Sequence, residues 1–221
     1  MASIKAKGIL FDMDGTLVDT TILVEKGWIA KAEQYGLDGT ELIKHTHGRP
    51  CLDIFRTFFP PECHTPEYAQ AYEDEHIELT EGLVAVPGIH ETIAAIPPSK
   101  WAVVTAASRK WASTRISQAG LPQPLHMVSS GDVTLGKPHP EGYLKGAEAL
   151  GLAASDVVVF EDAVNGVKAG LAAGAKVIGL VTSTTEENLR SAGAHFVVKD
   201  FTEIQAVDNG DHLELIIQQH N

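Results

Sequence analysis

At 221 residues the chain suits one large domain, or a core domain carrying a smaller insert, and 44% hydrophobic with 21% charged residues is an ordinary balance for a globular protein. A formal net charge of -12 repels nucleic acid and anionic membranes, so neither is expected as a partner, while a small anionic substrate needs only a local positive focus. Two cysteines, Cys51 and Cys63, imply no disulfide framework and are expected as reduced thiols; with no signal peptide and no apolar run of membrane-spanning length, a cytoplasmic monomer or small homo-oligomer is expected.

In chain order, Gly8–Phe11 forms the first buried apolar run and leads directly into Asp12-Met13-Asp14-Gly15-Thr16. From Leu17 to Leu83 there is no convincing buried strand, only helical patterns over 22–35, 51–59 and 66–79, and a gap of that length is far beyond an ordinary crossover. The economical expectation is an all-helical domain, residues 17–83, inserted after the first strand. The core resumes near Pro87-Gly88 with a helix over 89–96, a strand at Trp101–Val104 and a helix over 110–119. A rigid Gly136-Lys137-Pro138-His139-Pro140 segment then precedes a helix over 140–150. Strands at 157–160 and Lys176–Leu180, helices over 164–173 and 186–192, and a weaker strand at 195–198 follow. Leu213, Leu215, Ile216 and Ile217 suggest a final edge strand. Continuous β-branched runs alternating with helices predict an α/β fold: a doubly wound, parallel-sheet, Rossmann-like core from residues 1–16 and 84–221.

Three strands end in polar residues: Asp12, Thr105 and the pair Glu161-Asp162. Ligands of open α/β sheets bind beyond the carboxyl ends of strands, near the point where strand order reverses. A lone Asp there is usually a cap or turn former. Carboxylates from two strand ends repel one another unless a cation separates them, and hard oxygen ligands suit Mg²⁺. Gly15 lets the chain turn after Asp12 and Asp14, which suits a nucleophile and metal ligand beside a general acid. Four carboxylates (about -4) and a phosphate ester (about -2) exceed one Mg²⁺ and one Lys (about +3), which favours a protonated Asp14. Lys137 on its stiff segment can offer a point charge to phosphate, although a lone loop lysine is ordinarily solvated. Thr105 can donate its hydroxyl, with backbone N–H groups of Ala106 and Ala107 beside it.

Together these residues resemble the haloacid dehalogenase superfamily, in its phosphatase branch with a helical (C1-type) cap. Asp12-Met13-Asp14-Gly15-Thr16 is similar to the first signature, Thr105 to the second, Lys137 to the third and Glu161-Asp162-Ala163 to the fourth. The resemblance implies an Mg²⁺-dependent phosphatase in which Asp12 becomes phosphorylated and Asp14 protonates the leaving oxygen, then activates water. It implies that Mg²⁺ is held by Asp12, the Asp14 backbone carbonyl and Asp162, with Glu161 close by through water, and that Thr105 and Lys137 bind the phosphoryl group. The stretches 100–105, 136–144 and 158–173 are most similar to sugar-phosphate and polyol-phosphate phosphatases, so a small phosphorylated metabolite is the implied substrate. His47-Gly48-Arg49 sits where that group has a His-Gly turn, making His47 and Arg49 substrate candidates; helix capping is the competing explanation. A zinc site from His45, His47, His64 and His76 is disfavoured because no tight ligand pairing accompanies them.

Three alternatives compete with hydrolysis. A hexose phosphomutase of the same fold, similar to β-phosphoglucomutase, keeps all four motifs, but Thr16 favours hydrolysis. A dehalogenase needs only the nucleophile, and a receiver-type signalling domain has no use for Asp14 or a helical insert.

Overall fold

The computed structural model describes residues 2–218, so positions 1 and 219–221 of the expected core segments lie outside it. The first part of the chain contains β1 (Ala2–Ala6), β2 (Gly8–Phe11), β3 (Val18–Asp19), α1 (Thr21–Gln34), α2 (Gly39–Ile43), α3 (Cys51–Phe58), α4 (Pro66–His76) and β4 (Val84–Ala85). The middle adds α5 (Ile89–Ala94), β5 (Trp101–Val104), α6 (Arg109–Gln118), β6 (Met127–Val128), α7 (Glu141–Ala149) and β7 (Val157–Glu161). The last part is α8 (Val164–Ala172), β8 (Lys176–Leu180), α9 (Glu186–Ser191), β9 (Phe196–Val198), β10 (Ile204–Asp208) and β11 (Leu213–Ile217). None of the described helices is long and apolar enough to cross a membrane.

Six parallel strands form the main sheet in the order β6-β5-β2-β7-β8-β9. The chain winds outward from β2 to β5 and β6, then returns to β7 and winds the other way, so strand order reverses at β2. Every residue of β2, β5 and β7 is buried, as strands covered on both faces must be. Ile9, Phe11, Val103, Val158 and Phe160 pack into one apolar cluster with α5 and α6; Leu10, Val104, Val157 and Val159 pack into a second with α7 and α8. Strand β6, only two residues long at the sheet edge, has no periodicity from which to expect it.

The end of the chain differs from expectation. Rather than an edge strand, β11 is the middle of a separate antiparallel sheet, β1-β11-β10, with Ala6 opposite Leu213 and Ile4 opposite Leu215. Leu213, Leu215 and Ile217 are buried while Glu214 and Ile216 are only half so, the alternation of a sheet packed on one face. That face joins Ile89 and Ile93 of α5 in the first cluster.

Helices α1–α4 have their own core, in which the rings of Trp28, Phe55, Phe59 and Tyr72 pack together in the same cluster as Ile54 and Cys63. The two-stranded ribbon β3/β4 flanks this helical insert where it leaves and rejoins the sheet. Both cysteines are free thiols. A buried cation ties the insert to the core. Arg115 of α6, 0% exposed, donates to the carbonyls of His76 (2.7 Å), Ile77 (3.2 Å) and Leu79 (2.6 Å), and its guanidinium lies 4.0 Å from the centre of the Trp111 ring. Carbonyls at the end of a helix lack intrahelical partners, and a cation there satisfies both their hydrogen bonding and the helix dipole.

Arg115→Met keeps the apolar stem but strands those three carbonyls. A loss of about 2–4 kcal/mol is expected, lowering the apparent Tm by about 4–16 °C for a chain of this size. Scanning calorimetry checks it; a Tm within about 2 °C of wild type contradicts the clamp.

Candidate active site

The site is built on the ladder between β2 and β7. Phe11 stands opposite Phe160, and the Asp12 N–H continues the ladder by donating to the Phe160 carbonyl at 3.0 Å, which sets Asp12 alongside Glu161. The chain then turns tightly. The Met13 carbonyl accepts from the N–H groups of Thr16, Leu17 and Val18, and Gly15 takes a φ of 78°. A side chain is excluded at Gly15 twice over: by that φ, and because a Cβ there falls 2.1 Å from Asp162 Oδ2. Thr16 Oγ1 donates to Asp162 Oδ1 at 3.3 Å, so the turn is moulded onto the Asp162 carboxylate.

Lys137 is buried between two carboxylates. Its Nζ donates to Asp12 Oδ1 and, at 2.6 Å, to Glu161 Oε1. Glu161 is fully buried; its Oε1 also accepts from the Tyr143 hydroxyl at 2.7 Å, and its Oε2 accepts from the N–H groups of Asp162 and Ala163, each at 3.1 Å. Gly166 of α8 makes room for it, since a Cβ there falls 1.7 Å from Glu161 Oε1. Both oxygens of Glu161 are therefore taken up by groups of the protein.

Asp12, Glu161 and Asp162 each offer an oxygen within 4.8 Å of the others. One ammonium does not balance three carboxylates. Burial and the neighbouring Glu161 push Asp162 up to about 8. Burial pushes Asp12 up as well, with Lys137 pulling against it. Burial opposes the Lys137 ammonium, but Asp12 and Glu161 more than offset this and hold its pKa above the ordinary range. A buried all-oxygen cluster with surplus negative charge, and a glycine turn fitted to one of its carboxylates, matches a hard divalent cation.

Asp14 lies apart from the cluster, half-buried in the cavity wall. Its Oδ1 accepts from Thr20 Oγ1 at 2.7 Å and Trp111 Nε1 at 3.4 Å, which fixes its direction. Burial pushes its carboxyl up, the Thr20 and Trp111 bonds working against it. Two aspartates separated by one residue thus sit in different surroundings: one is paired with an ammonium, the other held by neutral donors. Thr105 is buried at the end of β5; its Oγ1 accepts from the Ala107 N–H at 3.1 Å, which leaves the hydroxyl proton to be donated elsewhere. Asp12, Asp14, Thr105 and Ala106 line one cavity whose far wall belongs to α1, α3 and α4.

His47 and Arg49 also line this cavity, although each has a partner of its own. His47 Nε2 lies 3.2 Å from Glu25 Oε1, and Arg49 Nη2 donates to the Asp53 carbonyl (3.3 Å) and Thr57 Oγ1 (2.8 Å). Ser108 caps α6 through the Trp111 N–H, and Arg109 pairs with Asp132 at 2.7 Å. Among the described residues, the four histidines weighed as zinc ligands form no metal-binding group. Tyr143, Thr20 and Trp111 carry no signal in the sequence. An inward aromatic on an amphipathic helix reads as core, and a Thr six positions from the aspartate it orients carries no pattern.

A family model described as haloacid dehalogenase-like hydrolase matches residues 9–180. The chain is 36% identical to 2-deoxyglucose-6-phosphate phosphatase 1 of Saccharomyces cerevisiae, over 100% of this chain and 98% of that protein. It is 42% identical to hexitol phosphatase A of Escherichia coli, over 80% of this chain and 83% of that one. In structure it is similar to a β-phosphoglucomutase of Clostridium difficile, with a TM-score of 0.76 at 21% identity, covering 90% of this chain and 93% of the other. The acidic turn after β2, the lysine bridging it to the end of β7 and relatives that match over most of their length have one common source: the chain belongs to the haloacid dehalogenase-like hydrolases.

Proposed function

We propose that the protein is an Mg²⁺-dependent phosphatase that hydrolyses small sugar or polyol phosphates through an aspartyl-phosphate on Asp12. The observation that carries this is the different treatment of the two aspartates: Asp12 is ion-paired with the Lys137 ammonium inside the carboxylate cluster, whereas Asp14 lies outside it and is held by the neutral donors Thr20 and Trp111. A nucleophile must be ionised and a general acid protonated in the same site, and these surroundings favour that division.

In this mechanism an Asp12 carboxylate oxygen attacks phosphorus and the ester P–O bond breaks. Asp14 gives its proton to the departing oxygen. The resulting Asp14 carboxylate then takes a proton from water, whose oxygen attacks phosphorus and breaks the Asp12–O–P bond, releasing inorganic phosphate and restoring both aspartates. Lys137 and the Thr105 hydroxyl bind the phosphoryl oxygens throughout, which for a loose phosphoryl-transfer transition state is positioning and charge balance rather than covalent chemistry. Asp12, Asp162 and the Asp14 backbone carbonyl would hold Mg²⁺, which would supply further neutralisation of those oxygens. Glu161, its oxygens already bonded, is assigned to holding Lys137 in place. Residues 17–83 act as the cap over the cavity.

Hydrolysis is favoured over phosphomutase chemistry because relatives at 36% and 42% identity are phosphatases by name, whereas the solved structures named for mutase activity are 27% and 21% identical.

Asp12→Asn is expected to lower kcat by about 10⁴-fold or more, as loss of a nucleophile does. Asp14→Asn is expected to lose about 10²- to 10⁴-fold on alkyl phosphates and less on p-nitrophenyl phosphate, whose phenolate leaves without a proton. Steady-state assays check both, and substantial turnover by Asp12→Asn contradicts the mechanism.

The Asp162 carboxyl, near 8 in the fold against an ordinary 3.8, retains a proton there that the unfolded chain releases. Without a divalent cation, stability therefore falls as pH rises through this interval, and a cation that binds the ionised cluster relieves the loss. Millimolar Mg²⁺ is expected to raise Tm more at about pH 8 than at about pH 6, and chelator is expected to abolish turnover reversibly. A pH-independent effect of Mg²⁺ on Tm, or full activity in chelator, contradicts the metal assignment.

A further inference from the structure

The wall of the cavity supplied by the helical insert carries an unmatched acceptor. Glu73, on α4, is 6% exposed and lines the same cavity as Asp14 and Thr105. Its Oε1 accepts from the Ser108 N–H at 3.2 Å and lies 3.8 Å from Cys51 Sγ. Its Oε2 is buried with no partner, and none of the ion pairs among the described residues includes Glu73. Thr21 Oγ1, in the wall of the same cavity, is a second buried oxygen without a partner. Such atoms are rare in native structures because each forfeits the hydration it had in the unfolded chain, and they are retained where a ligand completes them.

The basic side chains of this cavity face acceptors of their own. Arg49 donates to the Asp53 carbonyl and Thr57, His47 faces Glu25, and His76 Nδ1 lies 2.8 Å from the Tyr72 carbonyl. The part of the substrate that reaches Glu73 therefore meets a carboxylate that needs donors, with no cation bound to it that a second anion on the substrate could displace. A hydroxyl supplies the donor. A carboxylate or second phosphate has none and is repelled.

We propose that Glu73, with Thr21 beside the same cavity, determines specificity by accepting hydrogen bonds from the hydroxyls of a neutral, polyhydroxylated leaving group and by rejecting leaving groups that carry a second anion. This rests on the phosphatase function proposed above and adds to it a reason for the substrate class. It also disfavours the retention of a bisphosphate intermediate that mutase chemistry needs, because the second phosphate meets Glu73.

Glu73→Gln keeps the side-chain shape and an acceptor for the Ser108 N–H, but turns an amide N–H₂ into the cavity. Glycerol 3-phosphate and 2-phosphoglycolate are compared with p-nitrophenyl phosphate, whose ring has no hydroxyl. The substitution is expected to lower kcat/KM for glycerol phosphate about 10- to 100-fold, chiefly through KM, to raise it for phosphoglycolate, and to leave p-nitrophenyl phosphate within about twofold. Thr21→Val, a nearly isosteric change, is expected to lower glycerol phosphate turnover without affecting p-nitrophenyl phosphate. An equal loss on all three substrates in both variants makes these residues structural and overturns the proposal, as does an unchanged ratio of glycerol phosphate to phosphoglycolate. Calorimetric binding of the two ligands to Asp12→Asn, with and without Glu73→Gln, reads the same preference with no turnover. A preference for glycerol phosphate there that Glu73→Gln inverts supports the role of Glu73 even if the wild type hydrolyses none of the esters, a result that faults the phosphatase function alone. Equal binding of both ligands to both forms overturns the proposal.

Discussion

The structure is organised around a charge imbalance placed where two parallel strands end. Asp12, Glu161 and Asp162 are buried within 4.8 Å of one another with a single ammonium among them, that of Lys137. Taking carboxylates out of water is strongly unfavourable unless hydrogen bonds and opposite charge compensate, and much of the surrounding sequence supplies that compensation. Glu161 receives a hydroxyl and two backbone amides, Asp162 a threonine hydroxyl, and Asp12 the lysine. Two glycines, Gly15 and Gly166, leave the space these carboxylates occupy. What the protein's own groups leave uncompensated is the negative charge that a divalent cation balances, so a folding liability and a binding site are the same feature.

The parallel sheet makes this convergence possible. Because β2 lies between β5 and β7, the residues at the carboxyl ends of all three strands, Asp12, Thr105 and Glu161-Asp162, reach one crevice although they are far apart in sequence. Lys137 arrives on the segment before α7, and Tyr143, one helical stretch later, turns inward to the carboxylate that Lys137 also contacts. The helical insert closes the opposite side with its own apolar core, so it can carry a different set of polar atoms without disturbing the sheet. Arg115 fixes the end of α4 to α6, and through its contact with Trp111 it supports the residue that donates to Asp14. In the mechanism proposed above, the chemistry belongs to the sheet and the choice of leaving group to α1, α3 and α4.

The sequence made the sheet legible because its strands are buried on both faces and appear as unbroken apolar runs, and it made the site legible because the polar residues stop those runs abruptly. Asp12, Thr105 and Glu161-Asp162 were visible for this reason. The missed parts lack such a signal. Strands β3, β4 and β6 are two residues long, too short for a period. The β1-β11-β10 sheet is assembled from the two ends of the chain, and pairing over that distance leaves no trace in local sequence. Glu161 was expected near a metal as an acidic neighbour of Asp162; only the fold reveals that its oxygens are occupied by Lys137, Tyr143 and backbone amides. Glu73, in a helix rich in acidic residues, resembles a solvated charge until burial singles it out.

The most direct measurement is chemical trapping at Asp12. Acid quenching during turnover followed by borohydride reduction converts an aspartyl acyl phosphate to homoserine, which peptide mass spectrometry locates. Homoserine at position 12, in a yield that follows the steady-state occupancy of the intermediate and disappears in Asp12→Asn, is the predicted result. Modification at a different residue, or turnover with a phosphate burst and no modification at position 12, contradicts nucleophilic attack by Asp12.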